Sequence, residues 1–132
     1  AQVIGWAGAL AWGVNYGVVS DLPIALELPD VYGLIEPRFP LQHAEIILFT
    51  LLFVALVGLA ARPAEAGMVF FVALFASAWG NFALGFMRGD ESVFIGAFRV
   101  DQIVDAVMGA TASAGLLWHA VRARHLPTSV IA

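Results

Sequence analysis

The run IILFTLLFVALVGLAA, Ile46 to Ala61, carries no charge. A helix that crosses a bilayer needs about 20 consecutive, mostly apolar residues. Extending this run back to Leu41 supplies them. A stretch so evenly apolar has no polar face to offer water, unlike the striped helix of a soluble domain. It reads as a transmembrane helix.

The rest of the chain agrees. Its 132 residues are 61% hydrophobic and 12% charged, with a mean hydropathy of +0.90. Soluble domains carry about 25% charged residues. Three further segments are apolar enough to span, roughly 1–19, 68–87 and 102–121, beside 41–61. The expected fold is all-α and integral to the membrane: one domain, an antiparallel four-helix transmembrane bundle. AWGVNYG (11–17) and AWGNFALG (78–85) echo one another near the same membrane face. The echo would make the bundle two pseudo-repeated helical hairpins. Chance in a chain rich in Ala, Gly and Trp explains it equally well.

The connections differ in kind. ARPAEAG (61–67) is a short turn. The segment 20–40 holds Pro23, Pro29, Pro37 and Pro40, which forbid a continuous helix. It is still oily, with Ile24, Leu26, Leu28, Val31, Leu34, Ile35 and Phe39, so it is expected to be a loop that lies along the interface or folds back over the bundle. RGDESVFIGAF (88–98) is a shorter segment of the same type. Arg62, Arg122 and Arg124 fall on the side of the termini; Arg38, Arg88 and Arg99 fall on the other, beside nine of the ten acids. Arginines close to span ends set topology, and Arg99 is offset by the acids around it. Both termini are therefore expected in the cytoplasm, in a bacterial inner membrane. Ala1–Ser20, with Asn15 and several Gly and Trp, reads poorly as a signal peptide.

Small residues recur every fourth position: Gly5, Ala9, Gly13 and Gly17; Ala73, Ser77, Asn81 and Gly85; Asp105, Gly109 and Ser113. Such rows let helices approach closely in lipid. Their number also points to a homo-oligomer or a place in a larger membrane complex. Asn81 and Asp105 lie on these rows, which directs them toward protein.

Every span places polar groups near the acidic face. Asn15 and Tyr16 come from the first, Gln42, His43 and Glu45 from the second, Asn81 from the third. The fourth opens with FRVDQIVDAVMGA (98–110), which carries Arg99, Asp101 and Asp105. An unpaired carboxylate one turn inside the apolar boundary is costly, so Asp105 must be protonated, paired or wet. The set describes a polar pocket for a lipophilic small molecule. Asp105, Asp101 and His43 are its candidate acids and bases, and Arg99, Asn81, Asn15, Glu45 and Tyr16 its candidate binding groups. The bland alternative makes Arg99 and Asp101 an ordinary headgroup-level pair and Asp105 a group that fixes helix register.

Much is excluded. The chain has no Cys and no Lys, which removes thiolate sites and Schiff-base chemistry. No zinc-site or nucleotide-loop motif occurs, so no metal is expected, and no cofactor is named by any pattern. His43 could serve as an axial ligand to haem or chlorin, but His119 lies at the opposite face. The net charge of −4 argues against nucleic acid. Membrane lipid is an expected partner. Three functions remain. The first is an enzyme working by general acid–base chemistry, of isomerase, hydrolase or cyclase type. The second is an accessory subunit of a membrane complex, energy-transducing or otherwise, that contacts pigment, quinone or lipid. The third is a proton-coupled carrier working as an oligomer.

Overall fold

The computed structural model describes residues 2–62 and 66–125. They form four helices: α1 (Gln2–Trp12), α2 (Leu41–Ala60), α3 (Met68–Gly85) and α4 (Val100–His125). Two short antiparallel hairpins join them, β1 (Leu26–Pro29) with β2 (Ile35–Arg38), and β3 (Phe94–Ile95) with β4 (Phe98–Arg99).

Two helices, α2 and α3, are long and apolar enough to cross a membrane. Their burial is inverted relative to a soluble protein. On α2, Ile47, Leu51, Phe53 and Val54 are exposed, while Gln42 and Glu45 are buried at 1% and 2% exposure. That pattern suits a helix whose solvent is lipid and whose polar groups have to be satisfied by protein. The longest helix, α4, is less apolar, because Asp101, Gln102 and Asp105 occupy its first turns and Arg122 and Arg124 its last.

The first apolar segment departs from expectation. Its helix stops at Trp12 and does not run to residue 19. Gly13 and Asn15 both have positive φ, 64° and 53°, which a right-handed helix cannot accommodate. The Val14 amide reaches back to the Ala9 carbonyl and the Gly13 amide to that of Leu10, the Schellman pattern of helix termination. The two halves of the sequence echo accordingly differ: 11–17 is a helix end, whereas 78–85 is uninterrupted helix.

Segment 20–40 also differs, being a β-hairpin and not a loop. Asp30 Oδ1 accepts hydrogen bonds from the amides of Tyr32 and Leu34, and Gly33 supplies the positive φ of the turn. Residues 16–20 then run extended between two other segments. Val18 donates to the Met87 carbonyl and Gly89 to that of Tyr16 on one side. Phe39 donates to the Val18 carbonyl and Ser20 to that of Pro37 on the other. Gly17 is required there, since a Cβ would collide with the Phe39 carbonyl. These ladders bind the ends of α1, α2 and α3 into one polar-end platform.

Helices pack in chain order. Phe71 meets Gly115, Trp79 meets Gly109 and Gln102 meets Gly85, so α3 and α4 run antiparallel. Leu48 of α2 fits against Gly80 of α3. Of these glycines, Gly85 and Gly109 lie on the small-residue rows of α3 and α4, and Gly80 and Gly115 lie off them. On α1 the row is unused at Gly5, which faces open space.

Candidate functional site

The platform carries two basic centres. Arg38 leaves the end of β2, 5% exposed, and its Nη2 donates to Asp30 Oδ2 at 3.1 Å and Glu36 Oε2 at 2.8 Å. Its guanidinium lies over the Tyr16 ring, 4.7 Å from the centroid. Tyr16 is thus held against a cation, and it also lines a small pocket with Asn15 and Asp90.

The second centre is larger. Arg88, two residues beyond the α3 cap, donates to Asp90 through Nε (3.0 Å) and Nη2 (2.9 Å). Its Nη1 reaches Asp101 Oδ2 at 3.0 Å and its Nη2 reaches Asn15 Oδ1 at 2.9 Å. Arg99 closes the ring, with Nη2 on Asp90 Oδ2 at 3.2 Å and Nε on Asp101 Oδ1 at 3.3 Å. Its Nη1 also donates to the Asp90 carbonyl. Two guanidiniums and two carboxylates form a closed cycle, joined to the turn after α1 through Asn15. The positive φ of Asn15 is what turns its amide toward a residue 73 positions away.

Burial disfavours the Asp90 carboxylate, but the Arg88 hydrogen bond and the charges of Arg88 and Arg99 outweigh it and hold its pKa below the usual range. Gln102 fixes the start of α4: its Oε1 accepts from the Arg99 amide and its Nε2 donates to the Phe82 carbonyl. Gln42 Nε2 donates to the Val14 carbonyl and ties α2 to the turn after α1.

Below the cycle sit two more carboxylates. Glu45 and Asp105 both lie within the electrostatic reach of Arg88, and the Asn81 side chain engages Asp105. Glu45 Oε2, Gln42 Oε1 and Asn81 Oδ1 are buried with no hydrogen-bond partner, and so is His43 Nδ1 on the opposite flank of the α2 start. Unsatisfied buried acceptors are rare in folded proteins and call for a donor.

The expected residues therefore divide. Asn15, Arg99 and Asp101 meet in the ionic cycle, and Glu45, Asn81 and Asp105 gather beneath it. Tyr16 stacks on Arg38 and borders the cycle through the pocket it shares with Asn15 and Asp90. His43 shares the level of Glu45, but no contact joins it to the cycle. Sequence reasoning passed over Arg88, Asp90, Arg38 and Gln102. The doublet Arg88–Asp90 directly after an apolar span was the available signal. Among the described residues no group of three His, Asp or Glu side chains could hold a metal ion.

Chemically, the arrangement sets fixed positive charge beside buried carboxylates at the end of apolar helices. It can hold a polar or anionic headgroup and exchange a proton close to it. The model of the prolipoprotein diacylglyceryl transferase family matches residues 1–118, which include every residue of this site. No curated protein and no solved structure matches the chain.

Proposed function

We propose, because the chain belongs to the prolipoprotein diacylglyceryl transferase family, that it is a membrane enzyme moving a diacylglyceryl group from a lipid donor to a prolipoprotein. The Arg88-centred cluster is its reaction site. α2 and α3 cross a bacterial inner membrane within an antiparallel four-helix bundle, and the site opens on the non-cytoplasmic face. Its chemistry is general acid–base catalysis on a lipophilic substrate. Group transfer takes the place of isomerisation, hydrolysis or cyclisation.

The bond between the donor's glycerol carbon and its headgroup oxygen breaks, and the electron pair leaves with that oxygen. A nucleophilic atom of the acceptor forms the new bond to the same carbon. The acceptor's proton passes to a buried carboxylate, Glu45 or Asp105. The departing oxyanion develops its charge near Arg88 and Arg99. A fixed guanidinium in a water-poor site stabilises such charge without reorganising. Asn15 and Asn81 orient the headgroup. Asp90 and Asp101 hold the guanidiniums in place between turnovers.

The single observation that carries this reading is the convergence of Asn15, Asp90 and Asp101 on Arg88, above a buried Glu45 with an unpartnered oxygen. The test is mass spectrometry of a prolipoprotein incubated with the purified protein in phospholipid vesicles. A gain of one diacylglyceryl mass is expected. No gain from folded, bilayer-inserted protein would overturn the reading in favour of an accessory subunit.

A further inference from the structure

A pocket of about 230 Å³ opens between three turns at the polar end of the molecule. Asn15 and Tyr16 enter it from the turn after α1, and Asp90 and Glu91 from the loop after α3. Val14 and the hairpin-tip residues Val31 and Tyr32 complete the wall, to which no helix contributes. We infer that it seats the extended main chain of the acceptor polypeptide, beside the residue that receives the lipid. The inference rests on the proposed function and adds the subsite that would hold the acceptor.

A guanidinium only donates, so the bond from Arg88 Nη2 fixes Oδ1 as the end of the Asn15 amide that faces the cycle. Its Nδ2 is the end left for the pocket. Tyr16 is 7% exposed, yet its hydroxyl has no partner among the described residues and is not sealed off. It therefore opens on the pocket that Tyr16 lines, where it calls for a ligand group. Glu91 is exposed and forms no ion pair among the described residues. The wall thus offers a donor, a hydroxyl and an acceptor.

Asp90 is already matched by Arg88 and Arg99, so a bare cation finds only the exposed Glu91. No basic side chain lines the pocket, so an anion such as phosphate has no direct partner there and faces Glu91. A neutral group that carries both N–H and C=O fits, and the peptide unit is that group. Within a helix those groups pair internally, so the segment that presents them is extended. At about 30 Å³ for a water-sized group, the pocket holds roughly eight heavy atoms, the main chain of about two residues.

A pocket walled by turns alone suits a chain that leaves the bilayer. Asn15 joins it to the reaction site, with its oxygen on Arg88 and its nitrogen toward the pocket. An extended chain advances about 3.3–3.6 Å per residue, so a segment held here delivers the next residue or two to the Arg88 cluster. Holding a nucleophile beside its target raises the rate by proximity.

The test places the full chain in dioleoylphosphatidylcholine vesicles with a synthetic prolipoprotein peptide that carries photo-leucine next to its acceptor residue. After photolysis, adducts are mapped by mass spectrometry. Adducts should favour Val14, Val31 and Tyr32 about tenfold over Phe94 and Ile95, which are exposed on the other hairpin at the same end. Tyr16→Phe keeps the ring over Arg38 and removes one hydrogen bond, so labelling should fall about fivefold. Glu91→Ala should lower it about tenfold, and so should N-methylation of the peptide amide beside the acceptor residue. Combined, the two changes should cost no more than either alone, because each removes the same bond. Equal labelling of the two hairpins would overturn the inference. So would labelling indifferent to N-methylation, or losses from the two changes that multiply. Transfer is read separately: pocket labelling without transfer keeps the acceptor seat and removes the transferase, and transfer with even labelling does the reverse.

Discussion

Arg38 and Arg88 are each held by two carboxylates, yet they do different work. The partners of Arg38, Asp30 and Glu36, lie within its own β-hairpin, and its side chain is 6% exposed. Those of Arg88 come from a loop, from α4 and from the turn after α1, and its side chain is 20% exposed. The first centre is a local staple that fixes the β1–β2 hairpin under Tyr16. The second gathers distant segments around a guanidinium that solvent can still reach. Local closure marks structure here, and long-range convergence marks the site.

The largest expected effect falls on the staple. Arg38→Ala strands the buried Asp30 carboxylate and should cost about 3–5 kcal/mol of stability, read by denaturant unfolding in detergent micelles. An unchanged midpoint would erase the distinction between the two centres. Asp90→Asn comes next. It weakens the charged hydrogen bonds from both Arg88 and Arg99 and should cost about 2 kcal/mol in the same measurement. A loss as large as that of Arg38→Ala would make the cycle a staple as well.

Acid sharpens the contrast further. Asp90 has a folded pKa held below its unfolded value, so its contribution is complete above the unfolded value near pH 4. It is lost as pH falls through the lower folded value. A guanidinium does not give up its proton in acid, so the loss belongs to the carboxylate. Unfolding midpoints should decline below about pH 4, and Asp90→Asn should flatten that part of the decline. An identical slope in the variant would remove Asp90 from the explanation. The smallest effect belongs to Asp101→Asn. The Asp101 side chain is 38% exposed, and its pairs with Arg88 and Arg99 should contribute under about 1 kcal/mol, fading with salt.

Much of the scaffold was legible because lipid imposes a simple code. Charge-free runs located α2 and α3 to within a residue or two, and two members of the small-residue rows, Gly85 and Gly109, lie where α3 and α4 touch. The first segment misled because its apolarity continues past the point where Gly13 and Asn15 turn the backbone. Gly13 was readable as a helix terminator, but hydropathy hides it. The β1–β2 hairpin was masked by four prolines, although the Asp30–Gly33 turn was written in PDVYG. At the site, Arg99 and Asp101 were visible as neighbours in sequence. Arg88 joins residues that only the fold brings together, and Asn15 reaches it through a backbone conformation that no periodicity announces.

One comparison tests the central distinction most directly. Arg88→Gln and Arg38→Gln are reconstituted in phospholipid vesicles, matched for folded protein, and assayed for diacylglyceryl transfer to prolipoprotein by mass spectrometry. Arg88→Gln should lose at least about a hundredfold in rate, as expected when a group that stabilises developing charge is removed. Arg38→Gln, per folded molecule, should stay within about threefold of the parent, since its ion pairs lie within its own hairpin. Equal losses in the two variants, or full activity in Arg88→Gln, would contradict the assignment of the Arg88 cluster as the reaction site.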